Sequence, residues 1–202
     1  MGDAPSIFIV EDDSANLRLV AGYLDELGYQ IRTFDSGVHF LESCQLHAPG
    51  CILLDNLLPG ISGIEVQKKI VAMDSRLPVI FMSGNSSYEE VFEATKNGAF
   101  AFLQKPVTKT RLRATVEQAL ALSRDLTGKF SLIARVRTLY ANLSEREKEV
   151  FHLLVDGKPN KMIARKLAIS LRTVEYHRAN IQKKLQTTVL ADLISIAKLV
   201  GQ

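Results

Sequence analysis

The chain of 202 residues has room for one large domain or two ordinary ones, and its 47% hydrophobic and 23% charged residues are typical of a folded globular protein. It contains no apolar run near the roughly 18 residues of a membrane span and no recognisable secretory signal, so we expect a cytoplasmic protein without a membrane partner. Residues 1–123 hold 10 Lys and Arg against 15 Asp and Glu, whereas residues 124–202 hold 15 against 7. This asymmetry suggests an acidic regulatory or catalytic half and a basic half that binds a polyanion.

The first 123 residues alternate between short apolar runs and amphipathic segments. The apolar runs predict five strands, at 6–10, 30–34, 51–55, 77–83 and 99–105. Segments with apolar residues at helical spacing follow them, at 14–27, 36–46, after the PGISG turn, at 86–98 and at 108–123. Five βα units in a row indicate an α/β domain with a doubly wound, five-stranded parallel sheet of the flavodoxin-like type, covered by helices on both faces.

The rest of the chain is helical in pattern throughout. Residues 124–142 predict a helical linker, and four short helices follow, at 144–155, 160–168, 171–185 and 189–200. Ser144 with Glu147 matches a capping box, and Asn160 and Ser170 are predicted to cap the next two helices. Short helices joined by short turns are typical of a helix-turn-helix domain. We therefore predict three segments: a domain at 1–123, a linker at 124–142 and an all-α domain at 143–202.

Polar side chains mark the carboxyl ends of the predicted strands, where ligands bind in doubly wound sheets. They are Glu11, Asp12 and Asp13 after the first strand, Asp55 after the third, Ser83 after the fourth and Lys105 after the fifth. Neighbouring carboxylates repel one another, and a hard divalent cation such as Mg²⁺ relieves that repulsion. A lysine and a hydroxyl facing the cluster could hold a transferred phosphoryl group, and a carboxylate can itself be the nucleophile. Asp13 could contact the metal or cap the helix that follows.

The long helix predicted at 171–185 has an apolar face and a mostly basic polar face. Val174, Ile181 and Leu185 share the apolar side. The polar side could enter the major groove of DNA through Arg172, Thr173, Glu175, Tyr176, Ala179 and Lys183. Lys161, near the free N–H groups that begin the preceding helix, is a candidate phosphate contact.

Residues 1–123 resemble the receiver domain of two-component response regulators. The resemblance is carried by IVEDD, LLDNLLPGISG, MSG and QKP, in the order and spacing of that family. It implies a CheY-like fold in which Asp55 accepts the phosphoryl group. It also implies Mg²⁺ ligands at Glu11, Asp12, Asp55 and the Leu57 backbone carbonyl. Ser83 would be the switch hydroxyl, Lys105 the lysine that pairs with the phosphate, and Phe102 the aromatic switch.

Residues 143–202 resemble the LuxR-type DNA-binding domain, through LSEREKEV, PNKMIA and RTVEYHRANIQKKL. The match is close to the FixJ branch of the NarL/FixJ response regulators. Tyr176 departs from the pattern, since a small aliphatic residue is usual there, and this departure bears on the preferred base.

The two resemblances together imply a transcription factor and not an enzyme. A sensor histidine kinase would phosphorylate Asp55, and phosphorylation would be coupled to homodimerisation or to release of the domain that binds double-stranded promoter DNA. RNA polymerase is a further candidate partner. Two alternatives stay open: a Mg²⁺-dependent phosphohydrolase that uses Asp55 as its nucleophile, and a phosphorylation-independent DNA-binding regulator with a vestigial receiver.

Overall fold

The structure, a computed structural model, describes residues 5–43, 49–84 and 86–201. The chain divides into two compact units, residues 1–128 and 129–202. Each unit has its own hydrophobic core.

The first unit is built on a five-stranded sheet in which all neighbouring strands are parallel. The strands are β1 (Ser6–Val10), β2 (Gln30–Phe34), β3 (Gly50–Asp55), β4 (Val79–Ser83) and β5 (Ala101–Gln104), in the order β2-β1-β3-β4-β5. This confirms the predicted doubly wound sheet. The last two strands are shorter than predicted. At the start of β4, Pro78 has no N–H to donate to the ladder, although its carbonyl accepts from the Ile52 N–H at 3.0 Å.

Five helices accompany these strands among the described residues. They are α1 (Ser14–Leu24, extended by a 3₁₀ turn at Asp25–Leu27), α2 (Gly37–Ser43), α3 (Gly63–Ala72), α4 (Tyr88–Lys96) and α5 (Lys109–Ala141). The predicted end of the second helix, at 44–46, lies outside the described residues. The predicted helical linker at 124–142 is not a separate helix, because the 33 residues of α5 span both it and the helix predicted at 108–123. No proline interrupts this stretch, and one glycine inside a helix costs only about 1 kcal/mol, which does not end it.

The alternation of side chains along the strands gives the sheet two buried faces. Phe8, Ile52 and Phe81 belong to the face covered by α2, α3 and α4, and Ile9 and Cys51 to the face covered by α1 and α5. Burial raises the pKa of the Cys51 thiol to about 12, so this thiol stays protonated and serves as a small apolar core group. With both faces covered, the carboxyl ends of the strands are where polar chemistry can reach solvent.

In the second unit, four helices follow the end of α5 within the range that the structure describes, which ends at residue 201. They are α6 (Glu145–Val155), α7 (Asn160–Leu167), α8 (Leu171–Leu185) and α9 (Leu190–Val200). Their core includes Phe151, Ile163, Val174 and Ile181, all fully buried. The apolar face predicted for α8 therefore packs inward, which leaves its polar face outside.

The caps of these helices agree with the sequence patterns except at α7. Ser144 and Glu147 form the predicted capping box, and Ser170 caps α8. The N-cap of α7 is Pro159, and Asn160 is the first helical residue. The Asn160 side chain is instead engaged across the fold, where its Oδ1 accepts from Arg178 Nη1 at 2.6 Å. The prediction that Asn160 is the N-cap is thus wrong.

Candidate functional site

Three carboxylates meet at the carboxyl edge of the sheet. Oxygen atoms of Glu11, Asp12 and Asp55 lie within 4.8 Å of one another. The strand register explains why Glu11 and Asp55 are close together. Val10 of β1 pairs with Leu54 of β3, and the residues that follow these two are Glu11 and Asp55. Glu11 and Asp55 are 1% and 6% exposed, whereas Asp12 is exposed. The edge therefore combines two buried acids with one that faces solvent.

Lys105 bridges the two buried acids. Its Nζ lies 2.7 Å from Glu11 Oε2 and 2.5 Å from Asp55 Oδ2. Burial alone would lower the pKa of Lys105, but hydrogen bonds and charges from Asp55 and Glu11 outweigh burial, and the pKa is raised. Burial raises the pKa of Glu11 despite the opposing effect of Lys105. The lysine thus remains a cation that faces Asp55.

Two neighbours orient the buried carboxylates further. Asn16, in the first turn of α1, donates from Nδ2 to Glu11 Oε2 at 2.6 Å. The Leu57 N–H donates to Asp55 Oδ1 at 3.1 Å. Both Asp55 oxygens therefore have a donor, one from the backbone and one from Lys105. The sequence prediction missed Asn16, although a polar residue one turn past a strand end is the available signal.

Asp13 caps α1. Its Oδ1 accepts from the Ala15 N–H at 2.7 Å and from the Asn16 N–H at 3.2 Å. These backbone hydrogen bonds lower the pKa of Asp13. Asp13 also borders the cavity above the acids, whose volume is about 600 Å³. Of the two roles left open for Asp13, the described contacts support the cap.

Ser83 ends β4, and Phe102 lies within the neighbouring strand β5. Ser83 is 1% exposed, and its Oγ has no hydrogen-bond partner within the described ranges. Phe102 is half-buried and stacks on Phe81, with ring centroids 5.6 Å apart and planes 12° apart. A buried hydroxyl without a hydrogen-bond partner lowers the stability of the fold. The Ser83 hydroxyl would therefore donate a hydrogen bond to a new acceptor placed at this edge.

Gly63 fixes the backbone that follows Asp55. Its N–H donates to the Asn56 carbonyl at 3.0 Å, and a Cβ built on it would lie 2.3 Å from the Asp55 carbonyl oxygen. Only glycine fits this approach. The sequence prediction did not assign Gly63 a role, although the PGISG turn was its visible signal.

Gly63→Ala is expected to displace the Asp55 backbone and to lower the free energy of unfolding of the first unit by about 1–3 kcal/mol, the cost of overpacking. Urea unfolding followed by circular dichroism measures this. Gly22→Ala is the matched control, because a Cβ on Gly22 meets no atom within 4 Å. Equal stability of the two variants would contradict the steric role of Gly63.

The donor set at this edge suits a hard divalent cation. The three acids offer only oxygen atoms, which Mg²⁺ prefers, and Asp12 is open to solvent, so the ion could keep several waters. Leu57 also lines the cavity above the acids. The residues present thus fit Mg²⁺.

A second candidate surface is the outer face of α8 in the basic unit. The predicted DNA contacts that are exposed there are Arg172, Glu175, Tyr176, Ala179 and Lys183. Lys161, in the first turn of α7, is exposed as well. Thr173 is half-buried, and its Oγ1 lies 2.7 Å from Ser170 Oγ at the cap of α8. The Thr173 hydroxyl is therefore engaged in a hydrogen bond at the start of α8.

Within the part of the chain that the structure describes, no helix is long and apolar enough to cross a membrane.

Comparisons with known proteins agree with this two-part architecture. Residues 7–117 match the response regulator receiver domain, and residues 141–197 match the bacterial regulatory proteins of the luxR family. The chain is 34% identical to the transcriptional regulatory protein FixJ of Bradyrhizobium diazoefficiens over 96% of this chain and 95% of FixJ.

Solved structures give the same result. The response regulator StyR superposes with a TM-score of 0.90 at 33% identity, over 96% of this chain and 98% of StyR. Full-length FixJ from B. japonicum gives a TM-score of 0.59 at 33% identity, over 100% of this chain and 98% of FixJ.

Proposed function

Because the chain belongs to the two-component response regulators that join a receiver domain to a LuxR-type DNA-binding domain, we propose that phosphorylation of Asp55 by a sensor histidine kinase controls its binding to promoter DNA. The observation that carries the proposal is the convergence of Lys105 on Asp55 and Glu11, with Asp12 beside them.

The chemistry follows from the contacts of Asp55. One of its carboxylate oxygens attacks the phosphorus of a phosphohistidine. A P–O bond forms, the P–N bond breaks, and the imidazole leaves after taking up a proton. The Leu57 N–H and the Lys105 ammonium orient the carboxylate before attack. Lys105 then stabilises negative charge on the phosphoryl oxygens.

Glu11, Asp12, Asp55 and the Leu57 carbonyl are the groups that would hold Mg²⁺. When bound, the ion neutralises charge on the carboxylates and on the incoming phosphoryl group. Glu11 is the most buried of the acids and is held by Asn16 and Lys105. Its oxygen is therefore fixed in place on the side of the site nearest α1.

Ser83 and Phe102 form the proposed switch. The unpartnered Ser83 hydroxyl would donate to a phosphoryl oxygen on Asp55, and Phe102 would turn as the end of β4 moves. A shift of the active arrangement from about 1% to 99% requires roughly 5.5 kcal/mol of differential stabilisation. The shift would be coupled to homodimerisation or to release of the DNA-binding unit.

The proposed DNA contacts are Lys161, Arg172, Thr173, Glu175, Tyr176, Ala179 and Lys183. The placement of α8 supports those that are exposed on this helix, because Val174 and Ile181 face the core and leave the opposite side to enter the major groove. A homodimer would read two half-sites about one helical turn apart.

Neither alternative is favoured. The phosphohydrolase alternative calls for a general acid just after the nucleophile in the chain, and the residues directly after Asp55 are Asn56 and Leu57. A vestigial receiver would not need the full set of acids with Lys105. The relative FixJ is described as a transcriptional regulatory protein.

The experiment that tests the proposed function is selection of genomic DNA fragments by the purified chain, with and without a small phosphodonor and Mg²⁺. We expect enrichment of discrete fragments that depends on the phosphodonor in the wild type and is lost in Asp55→Asn. Enrichment that is the same with and without phosphodonor would contradict phosphorylation control.

The polar face of α8 gives a separate prediction. Binding of the chain to a random-sequence duplex should weaken as salt rises, and Lys183→Ala should reduce the slope of log Kd against log salt by about 0.9, the share of one phosphate contact. Fluorescence anisotropy measures the slope. Lys198→Ala is the matched control, because this exposed lysine lies on α9. An equal reduction in both variants would place the DNA surface elsewhere.

A further inference from the structure

Asn56, the residue after Asp55, has a buried side chain with a specific distant partner. It is 3% exposed, and its Nδ2 donates to Glu90 Oε1 at 2.7 Å. Its Oδ1 has no hydrogen-bond partner within the described residues. A buried amide that makes one hydrogen bond to a charged group depends strongly on that bond for its position.

Glu90 also holds the start of α4. Its Oε2 accepts from the Ser87 N–H at 2.8 Å, and its own N–H donates to Ser87 Oγ at 3.2 Å, which completes a capping box. The two carboxylate oxygens thus face different elements. One holds the first turn of α4, and the other holds Asn56 in the loop that follows Asp55.

The same segment of chain connects Ser83 to this cap. Ser83 ends β4, and Ser87 caps α4 four residues later. If Ser83 moves toward a phosphoryl group, it pulls the segment that leads to the start of α4. Glu90, in the first turn of α4, is hydrogen-bonded to Asn56. The hydrogen bond between Asn56 and Glu90 is present while Asp55 is unphosphorylated and paired with Lys105. A displacement of α4 relative to the loop after Asp55 would stretch or break the hydrogen bond between Glu90 and Asn56.

We propose that Glu90 is a positioning residue that ties α4 to the loop after Asp55 through Asn56, and that this link stabilises the unphosphorylated arrangement of the receiver. The inference rests on the proposed function, since it identifies a residue that opposes the change of the receiver to its phosphorylated arrangement. Loss of the link should raise the population of the arrangement that reacts with phosphodonor.

The test is the rate of labelling by acetyl phosphate with Mg²⁺, measured on the full chain by a gel that separates the phosphorylated form. We expect Glu90→Ala to be labelled about tenfold faster than the wild type, the change expected when a hydrogen bond to a charged group is lost from one of two states. Glu65→Ala is the matched control. Glu65 has the same place in the capping box of α3, and its described side-chain hydrogen bonds are all with Ser62.

Three more variants separate the link from a loss of helix stability. Asn56→Ala should be labelled about as fast as Glu90→Ala, and the double variant should be no faster than either, because both remove the same interaction. Glu90→Gln retains one acceptor oxygen and should give a smaller change. It also keeps the test open if Glu90→Ala does not fold.

The outcomes distinguish this inference from the function on which it rests. If the wild type accepts no phosphoryl group, the proposed function fails. If the wild type is labelled but Glu90→Ala is labelled at the rate of Glu65→Ala, or more slowly than the wild type, only the link is overturned. Additive effects of Asn56→Ala and Glu90→Ala would overturn it as well.

Discussion

Asp55→Asn is expected to reduce phosphoryl transfer to the chain to background. The substitution keeps an oxygen that can accept from the Leu57 N–H but removes the anionic nucleophile that Lys105 faces. An amide oxygen does not form the acyl phosphate that a carboxylate forms. The measurement is labelling by acetyl phosphate with Mg²⁺, and circular dichroism checks that the variant is folded.

Asp35→Asn is the matched control for this loss. Asp35 follows β2, as Asp55 ends β3, but its side chain is 81% exposed and pairs only loosely with His39, at 3.8 Å. Its labelling should equal that of the wild type. Chelation of Mg²⁺ should slow labelling of the wild type and of Asp35→Asn alike. Persistent labelling of Asp55→Asn at the wild-type rate would show that another residue accepts the phosphoryl group.

Phe151→Ala is expected to lower the free energy of unfolding of the second unit by about 3–5 kcal/mol, the usual cost of removing a buried phenylalanine ring. Phe151 is fully buried and packs edge to face against Tyr140, with ring centroids 5.4 Å apart. A loss of this size is comparable to the whole stability of a small domain. DNA binding should therefore fall to background, as anisotropy would show.

Phosphoryl acceptance should survive in Phe151→Ala, because the core of the first unit does not include Phe151. Urea unfolding should then resolve a weakened second unit and an unchanged first one. Leu190→Ala, at a position that is 50% exposed on α9, should leave both activities intact. Loss of labelling together with DNA binding would contradict the independence of the two cores.

The succession of five βα units and the gathering of the acids at one edge follow from local patterns. Apolar runs at 6–10 and 51–55 end directly at Glu11 and Asp55. Parallel strands place such ends at one edge, so the pairing of Val10 with Leu54 brings the two acids together without any further signal. The polar face of α8 was predictable for the same reason, since the helical period alone separates it from Val174 and Ile181.

The continuity of α5 across residue 123 and the cap of α7 were not predictable from those patterns. Residues 124–142 have weak periodicity, and whether a helix stops there depends on what its faces meet in the folded chain. At α7, Asn160 has the side chain of a good cap, but its Oδ1 is taken by Arg178. A contact between residues 18 positions apart leaves no local trace in the sequence.

The sequence by itself determined the two domain types, the candidate acids with Lys105, and the basic helix, because each depends on residue type and on a period of two or 3.6 residues. Only the tertiary structure decided which side chains touch. Lys105 reaches Glu11 across 94 residues, and Asn56 reaches Glu90 across 34. The physical reason is that register, helix placement and side-chain rotamers are fixed by packing of the whole core, so these hydrogen bonds exist only after the chain has folded.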